Sequence, residues 1–267
     1  MPTNQQEIVL EEVFSGVLRL TLNDEKRRNA LSENMLDSLY SKIMGAAENS
    51  EIRVIILAAK GAVFCAGHDL KEITEARSSK DKGIGYFKKL FDKCSEVMNA
   101  IVTHPKPVIA EINGIATAAG CQIVASCDLA IASYSSKFAT PGVNIGLFCS
   151  TPMVALSRNV SNKHAMEMLL TGEMVDSARA EQIGLINRSC DGVLLKDEVN
   201  AVAKKIASKS SVTLAIGKKA FYQQAEMTLI KAYQHTSEVM VNNMLKRDSE
   251  EGISAFLTKR KPQWQDK

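Results

Sequence analysis

Apolar and polar positions alternate at the start of the chain, as they do in a strand with one buried face. Residues 8–22, IVLEEVFSGVLRLTL, alternate on both sides of Ser15 and Gly16 and predict a hairpin of two strands. After Ser32, a residue type that caps helices, apolar side chains recur at helical spacing. A helix is therefore predicted there, with an apolar face formed by Met35, Leu36, Leu39, Ile43 and Met44.

Three later segments are continuous apolar runs of the kind buried on both faces of a parallel sheet: IRVIILAA from Ile52, PVIAEING from Pro107 and DLAIAS from Asp128. Mixtures of charged and apolar residues at helical spacing predict helices over 71–103, 151–171 and 176–184. The segment SSKDKGIG, inside the first of these, is interpreted as a mobile loop.

The pattern is helical from Lys196 to the end of the chain, and Pro262 is expected to stop the last helix. Because strands and helices alternate only before this point, we predict an α/β core in residues 1–195 and a helical region in residues 196–267.

Composition and charge exclude several classes of protein. Hydrophobic residues make up 45% and charged residues 24% of the 267 positions, as in an ordinary globular protein. The net charge of +3 is small and the basic residues are scattered, so we expect no nucleic-acid partner. No apolar run approaches the roughly 18 residues of a membrane helix, so we expect no membrane insertion.

The six cysteines show no C-x-x-C pair and no regular framework, so neither a zinc site nor a disulfide scaffold is predicted, and we expect no metal. They are interpreted as buried thiols in a reducing compartment. The N-terminal segment MPTNQQEIVLEE lacks the features of a signal or transit peptide. A cytoplasmic location is therefore expected.

Two segments combine a buried strand with an abrupt run of small residues: GAVFCAGHDL at 61–70 and INGIATAAGCQ at 112–122. Each is suited to open a helix, whose first N–H groups lack partners and are accessible to a ligand when the side chains are small. Two such ends facing each other would form an oxyanion hole. Either segment taken alone is equally compatible with tight packing, and neither matches a dinucleotide or P-loop motif.

Together, these segments and several others resemble the enoyl-CoA hydratase/isomerase family, also called the crotonase superfamily. The residues that carry the resemblance are RRNALS at 27–32, FCAGHDLKE at 64–72, KPVIAEINGIATAAGCQ at 106–122, SCDLAIAS at 126–133, FATPGVNIGL at 138–147, AMEMLLTGEMVDSARAEQIGLIN at 165–187 and EGISAFLTKRKPQW at 251–264. The resemblance implies a crotonase-like ββα spiral core, a C-terminal helical trimerisation region, and a homotrimer or a hexamer built from two trimers.

The resemblance also implies an acyl-CoA thioester as the bound partner, with coenzyme A part of the substrate and no separate cofactor. Its carbonyl oxygen would lie between the backbone N–H groups of His68 and Ala119, where one preorganised donor contributes roughly 10²–10³ in rate. The family usually has Gly where this chain has Ala119. The implied contacts to CoA are Arg28, Ala30, Cys65, Ala66, Asp69, Phe256 and Lys259, the last two from a neighbouring subunit. The alternative is that Arg28, Lys71 and Lys259 are solvated surface charges.

This chain departs from the family at the positions of the catalytic carboxylates. Hydratases of the family use two glutamates, whereas Gln122 and Gly142 stand at those positions here. The isomerase-type acid is replaced by Ser150, a candidate polar group in the pocket. Since general acid–base groups each contribute roughly 10²–10⁴ in rate, classical hydration is not expected.

The remaining acids are assigned other roles: Glu111 would face the far side of its sheet, Asp69 would cap a helix, and Asp128 resembles a structural aspartate. The function predicted is therefore that of an acyl-CoA-binding protein, hydratase/isomerase-like, that stabilises a thioester enolate. Two alternatives stay open. One is a decarboxylase of malonyl or methylmalonyl thioesters that uses His68, since family decarboxylases also have a histidine there. The other is an acyl-CoA binder without catalysis.

Overall fold

A computed structural model describes residues 7–267, so residues 1–6, part of the segment behind the targeting prediction, lie outside the described residues. The described residues form ten strands: β1 Val9–Phe14, β2 Val17–Leu22, β3 Val54–Ala59, β4 Val63–Cys65, β5 Val108–Ile112, β6 Ile115–Thr117, β7 Leu129–Ser133, β8 Lys137–Ala139, β9 Val175–Asp176 and β10 Arg188–Cys190.

They also form eleven α-helices: α1 Glu33–Gly45, α2 Leu70–Ala76, α3 Ile84–Thr103, α4 Ala119–Ser126, α5 Pro152–Asn159, α6 Asn162–Thr171, α7 Ser177–Gln182, α8 Leu195–Ala207, α9 Ser211–Ala225, α10 Leu229–Met244 and α11 Arg247–Leu257. Short 3-10 helices cover Glu25–Arg27 and Pro141–Ile145. No helix within residues 7–267 is both long enough and apolar enough to cross a membrane.

The strands are shared between two sheets in a regular order. The six-stranded sheet has the order β1-β2-β3-β5-β7-β10, and the four-stranded sheet has the order β4-β6-β8-β9. Successive strand pairs, β3 with β4, β5 with β6 and β7 with β8, place one strand in each sheet before the chain turns into helix. This arrangement confirms the predicted α/β spiral of ββα repeats.

The predicted hairpin and the predicted first helix are confirmed, except that Met44, expected on the apolar face of that helix, is exposed. Ser15 and Gly16 have φ of 49° and 77°, as a two-residue hairpin turn between β1 and β2 requires. The Ser32 hydroxyl accepts a hydrogen bond from the N–H of Met35 at 3.2 Å and caps α1. The predicted long helices are each divided: α2 and α3 occupy 71–103, and α5 and α6 occupy 151–171.

Both faces of strand β3 are buried, which explains why its sequence is a continuous apolar run. Ile55 and Leu57 point into the main core, whereas Val54 and Ile56 pack on the opposite face of the sheet. That second face is covered by α8, through side chains such as Val199. The helical region predicted from residue 196 thus begins with a helix that covers the core, and the domain boundary itself stays a prediction.

A buried network fastens α9 to the core. The Asp128 carboxylate accepts hydrogen bonds from Lys218 Nζ at 2.7 Å, from the Tyr222 hydroxyl at 3.0 Å and from the N–H of Val108 at 2.7 Å. Lys218 Nζ also donates to the Ile101 carbonyl at 2.9 Å. The structural role expected for Asp128 is confirmed.

The end of the chain differs from the prediction. Helix α11 ends at Leu257, before Pro262, and the remaining residues are not helical. The reason is tertiary: the tail folds back, and the Asp248 carboxylate accepts from the N–H groups of Gln265 at 2.8 Å and Asp266 at 3.0 Å. Asp266 in turn pairs with Arg53, with 2.6 Å between Oδ2 and Nη1.

Candidate functional site

The chain segment after β4 is held in place by the loop that precedes α1. The N–H of Ala66 donates to the Arg28 carbonyl at 3.1 Å, and the N–H of Leu31 donates to the Gly67 carbonyl at 2.8 Å. Between these contacts, the buried Asn29 amide donates to the carbonyl of Val63 at 2.7 Å. The backbone of residues 66–68 therefore has a defined position relative to residues 28–31.

A cleft of about 340 Å³ opens beside this segment. Among the residues predicted to contact CoA, Arg28, Ala30, Ala66 and Asp69 line it, and His68 lies there too. The lining is completed by Lys26, Arg27, Leu70 and Lys71, so basic side chains outnumber the single acidic one. An anionic ligand would be attracted to such a cleft.

Asp69, the one carboxylate in the lining of this cleft, is occupied by the protein itself. Its Oδ1 accepts a hydrogen bond from the N–H of Lys71 at 2.9 Å, which caps α2 as expected from the sequence. Its Oδ2 lies 3.6 Å from Arg27 Nη1. These contacts leave the positive charge of Arg28 and Lys71 without a carboxylate counter-charge in the cleft lining.

The two runs of small residues meet at Gly67, which stands in the chain between Ala66 and His68 of the cleft lining. Gly67 has a φ of 90°, and a Cβ atom added to it would lie only 2.9 Å from Ala118 Cβ and 3.3 Å from the backbone nitrogen of Ala119. A Cβ atom on Gly120 would lie 2.2 Å from the Cys65 carbonyl oxygen. Glycine is required at positions 67 and 120 because the two backbone segments lie closer together than a Cβ atom would allow.

Ala119 is the first residue of α4, so its N–H has no partner within the helix. The preceding Ala118 has a φ of 50° and a ψ of −118°, a conformation that an L residue rarely adopts. Strain of this kind costs about 1–3 kcal/mol and clusters at functional sites. It is sustained by hydrogen bonds on both sides, from the N–H of Ala118 to the Ala139 carbonyl and from the N–H of Gln122 to the Ala118 carbonyl.

The His68 side chain lies under α3. Its ring meets the ring of Phe91 edge-to-face, with 5.4 Å between centroids. Both ring nitrogens are shielded from solvent, and neither makes a well-formed hydrogen bond among residues 7–267, although the Leu31 backbone lies close to the ring. Burial lowers the pKa of His68, so the neutral form of the imidazole is favoured.

Gln122 lies under the same face of α3. Its side chain is buried, and its Oε1 is 4.0 Å from the Cys94 sulfur. Phe91 and Cys94 are three residues apart on α3 and therefore lie on one face of that helix. The imidazole and the carboxamide consequently both contact the same face of α3.

The position that corresponds to the second catalytic glutamate is closed. A Cβ atom on Gly142 would lie 2.7 Å from the Leu147 carbonyl oxygen and 2.9 Å from the Cys149 sulfur. The Leu147 N–H donates back to the Gly142 carbonyl at 2.9 Å, which holds the loop in this position. Ser150, beyond this loop, is exposed, and its hydroxyl is 3.4 Å from the Phe148 carbonyl.

The other predicted residues lie apart from the cleft within one chain. Cys65 is fully buried, and burial raises the pKa of its thiol to about 12. Phe256 is 82% exposed on α11, and Lys259 follows the end of that helix. Glu111 faces α8, where it is paired with Arg19 at 2.8 Å.

Three residues of this site were missed in the sequence: Phe91, Cys94 and Cys149. Phe91 and Cys94 occur at a spacing that indicates one face of a helix, a pattern that the sequence shares with every core helix. Only their contacts with His68 and Gln122 distinguish them.

Comparisons with known proteins agree with this geometry. The family model described as enoyl-CoA hydratase/isomerase matches residues 12–267. A curated rat protein, enoyl-CoA hydratase domain-containing protein 3, is 48% identical over 98% of this chain and 86% of its own length. A crystal structure of the human protein of that name has a TM-score of 0.92 at 48% identity, covering 97% of this chain and 100% of that one. A crystal structure of an enoyl-CoA hydratase from Mycobacterium smegmatis also has a TM-score of 0.92 at 48% identity, covering 97% and 99%.

The relatives from rat, human and mouse are named as mitochondrial proteins. This contradicts the cytoplasmic location expected from the sequence, and that expectation is wrong. Free cysteines indicate surroundings in which disulfides are not maintained, and they do not distinguish one reducing compartment from another.

The match to the family model runs from residue 12 to the last residue, across both sheets and every helix described above. With relatives near half identity over almost the whole length, this chain belongs to the enoyl-CoA hydratase/isomerase family.

Proposed function

We propose that this protein binds an acyl-CoA thioester and stabilises its enolate form between the backbone N–H groups of His68 and Ala119. The supporting observation is the close approach of the two small-residue turns, where Gly67 leaves 3.3 Å between the place of its missing Cβ and the Ala119 nitrogen. A developing oxyanion there would meet one unpaired helix N–H and the N–H that follows Gly67. Preorganised donors of this kind act most strongly where water is excluded.

The CoA portion would occupy the cleft lined by Arg28, Ala30 and Ala66. Its phosphates are anionic, and Arg28 and Lys71 provide the positive charge that attracts them. Cys65 would contribute through its backbone, because its side chain is buried. The exposed Phe256 and Lys259 would serve the site of a neighbouring copy rather than their own.

A trimer, or a hexamer of two trimers, is part of this proposal. Large apolar side chains on the C-terminal helices are exposed in the single chain: Leu229 at 73%, Tyr233 at 71%, Leu245 at 80% and Leu257 at 73%. Exposed apolar surface of this extent is typical of an interface. Light scattering on the purified protein measures the assembly directly, and a monomer at micromolar concentration would contradict it.

The names of the relatives favour a mitochondrial location.

The reaction proposed does not use paired carboxylates. Gln122 cannot exchange a proton near neutral pH, and the space at Gly142 is filled by Leu147 and Cys149. An enolate reaction that needs no such pair is therefore favoured over the classical hydration of an enoyl thioester.

Decarboxylation of a malonyl or methylmalonyl thioester is a second candidate. The observation that favours it is that the two His68 ring nitrogens make no well-formed hydrogen bond in the described part of the chain, while the neutral Gln122 amide contacts the same face of α3. Both groups are able to donate hydrogen bonds to a carboxylate, and loss of CO₂ by itself produces the enolate.

A panel of CoA thioesters tests these functions. The purified protein is incubated with crotonyl, longer 2-enoyl, 3-enoyl, malonyl, methylmalonyl and saturated acyl thioesters, and masses and calorimetric affinities are measured. Gain of water identifies a hydratase, and loss of CO₂ identifies a decarboxylase. Binding without turnover of any thioester would identify an acyl-CoA binder without catalysis, and absence of binding would contradict the proposal.

A further inference from the structure

The space beneath α3 contains few groups that are able to exchange a proton. Gln122 is an amide, and the closed position of Gly142 offers no side chain. Burial raises the pKa of the Cys94 thiol to about 12 and also raises the pKa of Cys149. Both thiols are therefore protonated at neutral pH and do not act as bases there.

The nearby carboxylates are engaged in other contacts. Glu111 faces α8 and is paired with Arg19, as described above. The Glu72 carboxylate accepts hydrogen bonds from the Tyr86 hydroxyl at 2.9 Å and from the N–H of Glu33 at 3.1 Å. Since Asp69 caps α2, none of these three acids is directed at the meeting point of the two turns.

His68 differs from all of these groups. Its two ring nitrogens are shielded from water and make no well-formed hydrogen bond in the described part of the chain. A buried polar group without a hydrogen bond costs about 1–3 kcal/mol, so its retention indicates a role toward a ligand. Its own backbone N–H is one of the two donors proposed for the thioester oxygen, which places the ring beside the acyl carbon atoms.

We propose that the His68 imidazole is the proton carrier of the enolate reaction, an inference that rests on the proposed function. The unprotonated ring nitrogen takes the proton from the carbon next to the thioester carbonyl. The C–H electron pair becomes the second bond of the enolate C=C, and the carbonyl π pair moves to the oxygen. Return of the proton reverses each step, so no oxidant, reductant or further reactant is needed.

The surroundings keep the ring in its basic form. Burial is the main cause of the lowered pKa of His68, and the cleft beside it is lined by basic side chains, among them Arg28 and Lys71. Asp69, the carboxylate in this lining, is bound to the N–H of Lys71 and lies beside Arg27. On the α3 side the ring contacts the uncharged Phe91 ring, and the Leu31 backbone lies close to it on the other.

Access to the ring requires movement of one side chain. Phe91 covers the imidazole and is 38% exposed, so it has room to turn toward solvent when an acyl group enters. The acyl group would then lie between His68 and Gln122, in the space that α3 covers.

Deuterium exchange tests the proposal without assuming the natural substrate. Butyryl-CoA is incubated with the protein in D₂O, and the gain in mass at the carbon next to the carbonyl is followed by mass spectrometry. The wild-type protein is expected to catalyse this exchange. The His68→Ala variant, which keeps the backbone N–H, is expected to lose about 10²–10⁴-fold in rate. Free imidazole is expected to restore part of the rate in this variant, because the deleted ring leaves space for it.

Two further variants complete the experiment. His164→Gln changes a histidine on α6 outside the site and is expected to exchange at the wild-type rate. His68→Gln keeps a polar side chain of similar size and is expected to show the same loss of exchange rate. It takes the place of His68→Ala if that variant fails to fold. Calorimetry with butyryl-CoA reports binding separately from exchange.

The outcomes distinguish this inference from the proposed function. Exchange at the wild-type rate in both folded His68 variants would overturn the proton-carrier role and leave the proposed enolate site standing. Binding of butyryl-CoA without exchange by the wild-type protein would also overturn it, with acyl-CoA binding intact. Absence of binding would overturn both.

Discussion

The carbonyl oxygen of Leu147 lies 2.7 Å from the point that a Cβ atom on Gly142 would occupy. Real Cβ atoms do not approach backbone this closely, so the loop after the Pro141–Ile145 3-10 helix has taken the volume in which a second carboxylate would begin. If Gly142 stands where the sequence resemblance places the second glutamate, the loop as well as the residue itself excludes a carboxylate there. A return to paired carboxylates would require this loop to move.

Gly142→Ala is expected to destabilise the protein. The added methyl group overlaps backbone rather than a flexible side chain, and overpacking of this kind costs typically about 1–3 kcal/mol. The free energy of unfolding in urea measures the effect. Gly217→Ala is the matched control, since nothing lies within 4 Å of that position in α9. It is expected to gain about 0.5–1 kcal/mol from helix propensity. Equal stability of Gly142→Ala and wild type would show that the loop moves aside with little cost in the free energy of unfolding.

Gly67→Ala is expected to damage the oxyanion hole. The φ of 90° disfavours alanine, and the new methyl group would push against Ala118, 2.9 Å away. Displacement of one donor is expected to lower the rate of butyryl-CoA exchange by roughly 10²–10³-fold. The control is Gly61→Ala, a glycine with a φ of 81° whose Cβ would meet only the Glu25 side chain. The Gly61→Ala variant places alanine at a similarly unfavourable φ and is expected to catalyse butyryl-CoA exchange at the wild-type rate. A Gly67→Ala protein with the wild-type rate would place the oxyanion elsewhere.

Asp128→Asn is expected to loosen α9 from the core. The change leaves Lys218 buried with its charge uncompensated, and breaking a buried pair costs about 3–5 kcal/mol. Hydrogen exchange of the α9 amides and the midpoint of guanidinium unfolding report the loss. In the exposed pair of Lys88 and Asp92, Asp92→Asn is expected to change stability by only about 0–1 kcal/mol. A similar small effect at Asp128 would mean that apolar packing alone holds α9.

His104 makes stability depend on pH. Burial lowers its pKa from 6.5 to about 4, and its Nδ1 accepts a hydrogen bond from the N–H of Lys106 at 3.1 Å. The unfolded chain takes up this proton at higher pH than the folded protein does. Stability from this group is therefore complete above about pH 6.5 and is lost as the pH falls toward about 4.

Guanidinium unfolding between these pH values measures the slope. His104→Asn is expected to be less stable near neutral pH, because the Lys106 N–H loses its partner, and to show a flatter profile than wild type in this window. His164→Gln, at a partly exposed position, is expected to keep the wild-type slope. Parallel profiles for wild type and His104→Asn would show that other groups cause the acid sensitivity.

The elements of the core were predictable because their signals are local. The Ser15-Gly16 turn and the Ser32 cap depend on residues within a few positions, and the apolar run of β3 shows directly that both of its faces are buried. The short strands β8, β9 and β10 were not predicted, since two or three residues are too few for an alternation to appear. The end of α11 was missed for another reason, because contacts with Asp248 and Arg53 replace the helical hydrogen bonds.

By itself the sequence determined the strands β1, β2, β3, β5 and β7, the two runs of small residues and the presence of Gln122 and Gly142, because these features are visible without a structure. Only the tertiary structure decided that Leu147 occupies the volume next to Gly142, and that His68 and Gln122 contact the same face of α3. The second relationship joins residues far apart in the chain, and the first depends on the path of a loop. Their geometry follows from how helices and loops pack, and packing over such separations leaves no periodic signal in the order of residues.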